Sequence, residues 1–211
     1  MDELPLADAP VERALWARVW REWMLRLTVI DSSPADTVIG STLCAACPYS
    51  PAGCCVAPPR LDWSDIARVV LNGGAQWLID QIHAGRLKPF EHGLTLLRVK
   101  ERVGDEASPR IQKCVFHGPS GCTIAETHRP ATCNYYVCDR AIEEGEKEQA
   151  GAGTRATVVH DRLVAAFGAW DAEMTKRISS EWPSGPSFDM LFLQWLGRTF
   201  ARLSDRGGRN D

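Results

Sequence analysis

The chain has 211 residues, 45% of them hydrophobic and 24% charged, and its 24 basic against 27 acidic side chains leave a formal charge of −3. That balance excludes a disordered or fibrous chain, supplies apolar area for a core, and lacks the basic excess of a nucleic-acid binder. No apolar run approaches the roughly 20 residues of a membrane span, and the opening MDELPLADAP carries neither the basic nor the apolar region of a signal peptide. These features predict one cytoplasmic domain over residues 1–211, with no membrane and no nucleic-acid partner; they do not bear on oligomeric state.

Residues 11–30 place Leu15, Trp16, Val19, Trp20, Trp23, Leu27 and Ile30 at helical spacing, which predicts an amphipathic N-terminal helix. The polar stretch from Asp31 to Asp36 stops it, because Pro34 disfavours helical geometry in the residue before it. Residues 40–59 are rich in Pro, Gly and Cys and have no apolar period, so they read as a loop held by something other than packing. Asp62 or Ser64 caps a following helix, which Gly73 and Gly74 divide into two. Residues 94–103 and 111–116 read as antiparallel strands joined by a turn at GDEASP. From 117 to 138 the period is lost again, and residues 140–154 are acidic and Gly-rich, predicting an exposed, mobile connection. Two helices, over about 155–181 and 188–203, close the chain on either side of PSGP. The expected fold is α-rich α+β: a small, irregular, metal-centred middle over 40–140 with one β-hairpin, flanked by packing helices at 1–30 and 155–203.

The eight cysteines lie at 44, 47, 54, 55, 114, 122, 133 and 138, in two clusters. In a cytosolic setting structural disulfides are rare. Inert core thiols would not account for short spacings beside Gly and Pro. Metal ligation accounts for both, so Cys44, Cys47, Cys54, Cys55, Cys114, Cys122, Cys133 and Cys138 are the candidate ligands. Cys44-Ala-Ala-Cys47 lets two sulfurs converge on one ion across a tight turn. Cys54 and Cys55 are adjacent, so in an extended segment they point to opposite faces and do not serve one tetrahedral ion equally. All-thiolate ligation selects zinc, an iron–sulfur cluster or copper(I) over hard cations. The number of thiols favours an iron–sulfur cluster, with zinc the alternative, although no ferredoxin-like cysteine run is present.

His117 and His128 fall inside the cysteine region and are candidate ligands or supporting donors, against the plain reading of exposed loop histidines. Arg129, before Pro130, either orients the loop or donates to the negative charge of a thiolate centre. Gly151-Ala-Gly153 is no phosphate loop, since no strand precedes it and no Lys-Ser or Lys-Thr follows.

Cys44, Cys47, Cys54-Cys55 and the stretch CVFHGPSGCTIAETHRPATC over 114–133 resemble the YkgJ-type cysteine-cluster family of zinc- or iron-chelating domains. Cys114, Val115, Phe116, Gly121, Cys122, Ile124, Glu126, Arg129, Pro130 and Cys133 match that pattern in order, and Asp65-Ile66 stands at the family's helix start. The chain differs in the inserted PYSPAG between Cys47 and Cys54, in His117 and Ala125 where Leu and an aromatic are usual, and in Asn134 for a common Arg. The resemblance spans about 40–140 and implies bound zinc or iron. Through a related cysteine cluster in a flagellin lysine methylase, it also implies redox or modification chemistry on a peptide or protein partner. A zinc-stapled binding module without catalysis and a metal-handling protein are the other functions it leaves open.

Overall fold

A computed structural model describes residues 27–30, 35–41, 53–102, 110–118 and 121–207. The fold is α+β and rich in helix, with small antiparallel sheets and hairpins. Strands β1 (Leu27–Ile30) and β2 (Val38–Ser41) pair antiparallel, Leu27 opposite Ser41. A 3-10 turn, Gly53–Val56, leads to β3 (Arg60–Asp62) and to the two helices α1 (Trp63–Leu71) and α2 (Ala75–His83). β4 (Leu87–Phe90) and β5 (Gly93–Leu96) complete a three-stranded sheet in the order β3-β5-β4. β4 is an edge strand, which accommodates Pro89 because no neighbour needs its missing N–H.

Chain direction changes at Leu97. Its N–H donates to Arg86 O at 2.8 Å, and its carbonyl accepts Val115 N–H at 3.0 Å. The chain then leaves the three-stranded sheet and forms β6 (Arg98–Arg102), paired antiparallel with β7 (Arg110–Cys114), Arg98 opposite Cys114. A second small hairpin follows, β8 (His117–Gly118) with β9 (Gly121–Cys122). The helices α3 (Ala131–Tyr135), α4 (Asp139–Glu148), α5 (Ala152–Glu181) and α6 (Met190–Gly207) complete the described chain.

α1 is the centre of the molecule. Every residue from Trp63 to Val69 is buried, including Ser64, Asp65 and Arg68. Trp63 stacks on Phe188 at 5.7 Å and meets the edge of Phe192 at 5.9 Å, so α6 lies across it. Gly197 permits that approach: a methyl group there would stand 2.8 Å from the side chain of Val70. Leu61, Ile66, Leu78, Leu94, Phe192 and Leu196 are fully covered in the same cluster, each contributing about 1.5–3 kcal/mol by burial. A second cluster gathers Ile39, Tyr135, Val137, Leu163 and Phe167 between β2, α3 and α5. Trp170 packs on both clusters, 5.1 Å from Phe167 and 5.2 Å from Phe200.

The division of the helix at Gly73-Gly74, the β6–β7 pairing and the two closing helices follow the sequence expectation. Four features depart from it. The expected strand 94–103 is two strands in different sheets, because Leu97 bonds in both directions. Residues 139–148 form α4 rather than a mobile connection: Ala141 is fully buried, and the acidic residues occupy the outer face. Residues 117–138 are anchored by buried Ile124, Ala131, Tyr135 and Val137, whose irregular spacing over a hairpin and short turns shows no period. The end of the expected N-terminal helix, Leu27–Ile30, is β1, while the rest of that segment and the GDEASP turn lie outside the described residues.

Gly93 has φ 140°, and a Cβ there would fall 2.1 Å from the carbonyl oxygen of Leu61 in the paired strand. Gly93→Ala is therefore expected to destabilise the fold by more than about 3 kcal/mol, through backbone strain and loss of β3–β5 pairing. Urea unfolding of the two proteins checks this; a change below about 1 kcal/mol would contradict it.

Candidate metal centre

Five of the six described thiols reach one region from four separate elements. Cys54 and Cys55 ride on the 3-10 turn, which packs against β7 and closes with Ala57 N–H on Cys54 O at 3.1 Å. Arg98 ties that turn to the hairpin by donating from Nη2 to Val56 O at 2.5 Å. The same residue pairs with Cys114 in the β6–β7 register, so one side chain holds the first thiol segment beside the second. Cys114 ends β7 and is 6% exposed. The β8–β9 hairpin then folds back and sets Cys122 opposite His117. Thr123 locks this fold-back, since its N–H and Oγ1 both donate to Phe116 O, at 2.8 and 3.0 Å. Cys133 arrives on α3.

Their proximity is legible in their electrostatics. The Cys55 thiol donates to the Cys54 sulfur, which lowers Cys54 to about 6 and raises Cys55. Burial and the neighbouring Cys54, Cys114 and Cys122 raise Cys55 further. Burial raises Cys114, and Cys122 adds to it. Cys133 is open at its surface yet set in a dense surround of protein; that surround, with Cys122, Asp65, Cys114 and Cys54 around it, pushes its thiol up to about 12. At Cys55, Cys114 and Cys133 a neighbouring thiolate adds to burial in making the next one harder to form, whereas the thiol that Cys54 accepts from makes its own thiolate easier. A cation reverses that sign, because coordination deprotonates a thiol outright.

All six described cysteines are free thiols, so Cys54 and Cys55 form no vicinal disulfide. Among the described residues, no three His, Cys, Asp or Glu side chains stand close enough to hold a metal ion. Cys44 and Cys47 lie outside the described residues. In chemistry and neighbourhood the donor set Cys54, Cys55, Cys114, Cys122 and Cys133 suits a thiophilic centre. His117 lies beside it: its Nδ1 is buried with no hydrogen-bond partner among the described residues, and burial, then Lys113, lowers its pKa. The buried Lys113 donates to His117 O at 3.3 Å and pairs with Glu101 at 3.0 Å.

The other candidates stand elsewhere. Cys138 precedes α4, accepts the N–H groups of Ala141 and Ile142 on its carbonyl, and packs on the second cluster. His128 stacks on Trp77 at 5.2 Å against the Gly74 turn, with its pKa lowered by burial. Arg129 donates from Nε to Ile124 O at 2.8 Å and so orients the loop. Gly151, Gly153 and Thr154 donate their N–H groups to Glu146 at 2.7, 2.8 and 3.2 Å. A carboxylate of the chain itself thus occupies the place where a helix N-terminus would take an anion.

Sequence reasoning passed over the polar interior of α1. Asp65 is 5% exposed and accepts Ala131 N–H on Oδ1 at 2.6 Å; its Oδ2 accepts Asp62 N–H at 3.4 Å as half of a capping box. Arg68, 1% exposed, donates from Nη2 to Arg129 O and pairs with Asp36 at 3.7 Å. Asp171 accepts Ser64 N–H at 3.2 Å. A polar cavity of about 230 Å³ lies between these groups, lined by Asp62, Asp65, Asp171, Thr132 and Tyr135. Its three carboxylates all serve the N-terminus of α1, where the helix dipole favours negative charge. The available signal was the spacing of Asp62 and Asp65, three residues apart at a helix start.

Burial raises Asp65 from an ordinary 3.8 to about 7, against the lowering by Ala131 N–H and Arg68. Between about pH 4 and pH 7 the folded state keeps a proton that the unfolded chain has released, so raising pH through this window removes stability. The full window corresponds to up to about 4 kcal/mol. Urea unfolding across it should show wild type losing stability relative to Asp65→Asn as pH rises. Parallel pH profiles for the two proteins would contradict the assignment.

No protein-family model, curated protein or solved structure matches the chain.

Proposed function

We propose that the chain is a cysteine-ligated metalloprotein, with an iron–sulfur cluster as its centre and a redox or modification role on a peptide or protein partner. The observation that carries this reading is the gathering of Cys54, Cys55, Cys114, Cys122 and Cys133 from four elements into one neighbourhood, where burial and nearby thiols raise Cys55, Cys114 and Cys133. A fold gains nothing from such a gathering by packing alone, whereas a bound cation converts it into ligation. Cys114, Cys122 and Cys133 would hold the centre with one or both of Cys54 and Cys55, and with Cys44 and Cys47. An iron–sulfur cluster bound there would supply one-electron chemistry. Among the chain's own residues, Arg98 positions the Cys54 turn and Thr123 the Cys122 hairpin. His117 offers a ring nitrogen beside Cys122 as a supporting donor.

The zinc-stapled module is the second reading, and one observation limits either reading to a single all-thiol centre. With Cys138 in the second core, the eight cysteines leave seven for metal, one short of two all-thiol four-ligand centres. A single closed zinc needs four. The cytoplasmic location expected from sequence belongs to the proposal as well; among the described residues no helix is long and apolar enough to cross a membrane.

Purification without oxygen, followed by absorption spectroscopy and assay of iron, zinc and acid-labile sulfide, decides between the readings. The expected result is a coloured protein with iron and sulfide. Cys114→Ser, Cys122→Ser and Cys133→Ser should each lose most of the metal, while Cys138→Ser keeps it. Colourless protein with stoichiometric zinc and no sulfide promotes the zinc module, and equal retention of metal in all four variants overturns both.

A further inference from the structure

We propose that Asp65 and Arg68 of α1 are positioning residues for the thiol centre: together they hold the backbone of residues 129–131 and so set the place of Cys133 among the other thiols. This rests on the metal reading above and adds to it two side chains that the cysteine pattern does not contain.

Cys133 joins the set by a different route from the others. The segments carrying Cys54, Cys55, Cys114 and Cys122 are tied to one another through β6–β7, β8–β9, Arg98 and Thr123. Cys133 sits on α3, a helix of five residues. So short a helix has no stability of its own, and its first turn is entered through Pro130, which has no N–H to donate. Buried Ala131 and Tyr135 seat it on the second cluster, and the hydrogen bonds that grip its start set its register. Asp65 accepts Ala131 N–H, two residues before Cys133. Arg68, one helical turn further along the same face of α1, donates to Arg129 O. Arg129 and Asn134 complete the hold from within the loop, through Ile124 O and Glu126 O, each at 2.8 Å.

Helix capping accounts for only part of the pair: Oδ2 of Asp65 closes the capping box on Asp62 N–H, while its Oδ1 holds Ala131 N–H, and the guanidinium of Arg68, in the last turn of α1, goes to Arg129 O and Asp36. Burying two ionisable side chains beneath a core is often no more stable than filling the space with apolar ones. What the pair supplies is register: two directional bonds, one to a donor and one to an acceptor of the same short segment, which apolar packing would not specify.

The test uses the full chain, reduced and stripped of metal, with cobalt(II) alone as probe. Asp65→Ala, Asp65→Asn and Arg68→Leu are compared with wild type in three measurements: circular dichroism for fold, the sulfur-to-cobalt charge-transfer band, and alkylation of each cysteine by iodoacetamide with Cys138 as internal reference. Asp65→Ala and Arg68→Leu should keep their helix signal. Their band should fall by roughly a quarter, one thiolate of four. Cobalt protection of Cys133 should drop about tenfold, the size of one lost hydrogen bond to a charged group, with Cys114 and Cys122 still protected. Asp65→Asn retains an acceptor for Ala131 N–H and should restore both signals. Unchanged protection of Cys133, or loss of protection at every thiol together, overturns the proposal. If Asp65→Ala does not fold, Arg68→Leu carries the same comparison. If wild type binds no cobalt through its thiols, the metal reading itself falls. The alkylation rate of Cys133 without metal then decides the positioning: faster in the variants supports it, unchanged rejects it.

Discussion

The hydrogen bond from Ala131 N–H to the buried carboxylate of Asp65 joins the two halves of the molecule. α1 is covered from Trp63 to Val69 by α6, α5 and the β3-β5-β4 sheet, so the polar groups it carries draw their partners from inside the protein, although Arg68 Nε has none among the described residues. Those partners lie far along the chain: Ala131, Arg129 and Asp171. An unpartnered carboxylate in that position would cost several kcal/mol, so the bond is enforced by burial as much as by its own strength. Through it, the segment carrying Cys133 is held to the first core cluster, and the second cluster is assembled around α3 and α5 beyond it.

The cysteine region has the opposite energetic character. α1 resolves its buried charge internally, with carboxylates at the helix N-terminus and a guanidinium on a carbonyl. The thiols of Cys114 and Cys133 are raised by burial and then by neighbouring thiols, and that of Cys55 by its bond to Cys54, by burial and by Cys54, Cys114 and Cys122. Thiolates in that arrangement are disfavoured until a positive charge is placed among them. The surrounding backbone does not wait for it: the β8–β9 hairpin and the Thr123 bonds order Cys122, and buried Ile124 and Tyr135 order the path to Cys133. The candidate site therefore combines ordered supports with neighbouring free thiols, of which Cys54, Cys122 and Cys133 are open at the surface, so a ligand there would contribute binding energy rather than fold a disordered loop.

Two features that suggest anion or cation sites resolve into helix capping. The N-terminus of α5 presents its N–H groups to Glu146, and the acidic wall of the cavity beside Tyr135 consists of carboxylates bound to the start of α1. Both follow from the same rule, that a helix start needs acceptors and favours negative charge. Here the chain provides them from distant segments.

The sequence alone determined the elements whose cause is local. Helical period placed α5 and α6, paired glycines divided α1 from α2, alternation placed β6 against β7, and thiol spacing beside Gly and Pro marked the candidate centre. Tertiary structure decided what depends on a distant partner. Leu97 splits one apparent strand into two because Arg86 and Val115 claim its N–H and carbonyl. α4 forms because Ala141 and Gly145 bury one face of an otherwise acidic stretch against α5. Cys138 stands apart from the other described thiols although it lies five residues from Cys133 in the chain, because the turn after α3 carries it into the second core. In the sequence Asp65 is marked only by the Asp65-Ile66 match at a helix start, and Arg68 is not marked at all. Their significance comes from burial on every side, and a one-dimensional pattern does not contain which faces of a helix the rest of the chain will cover.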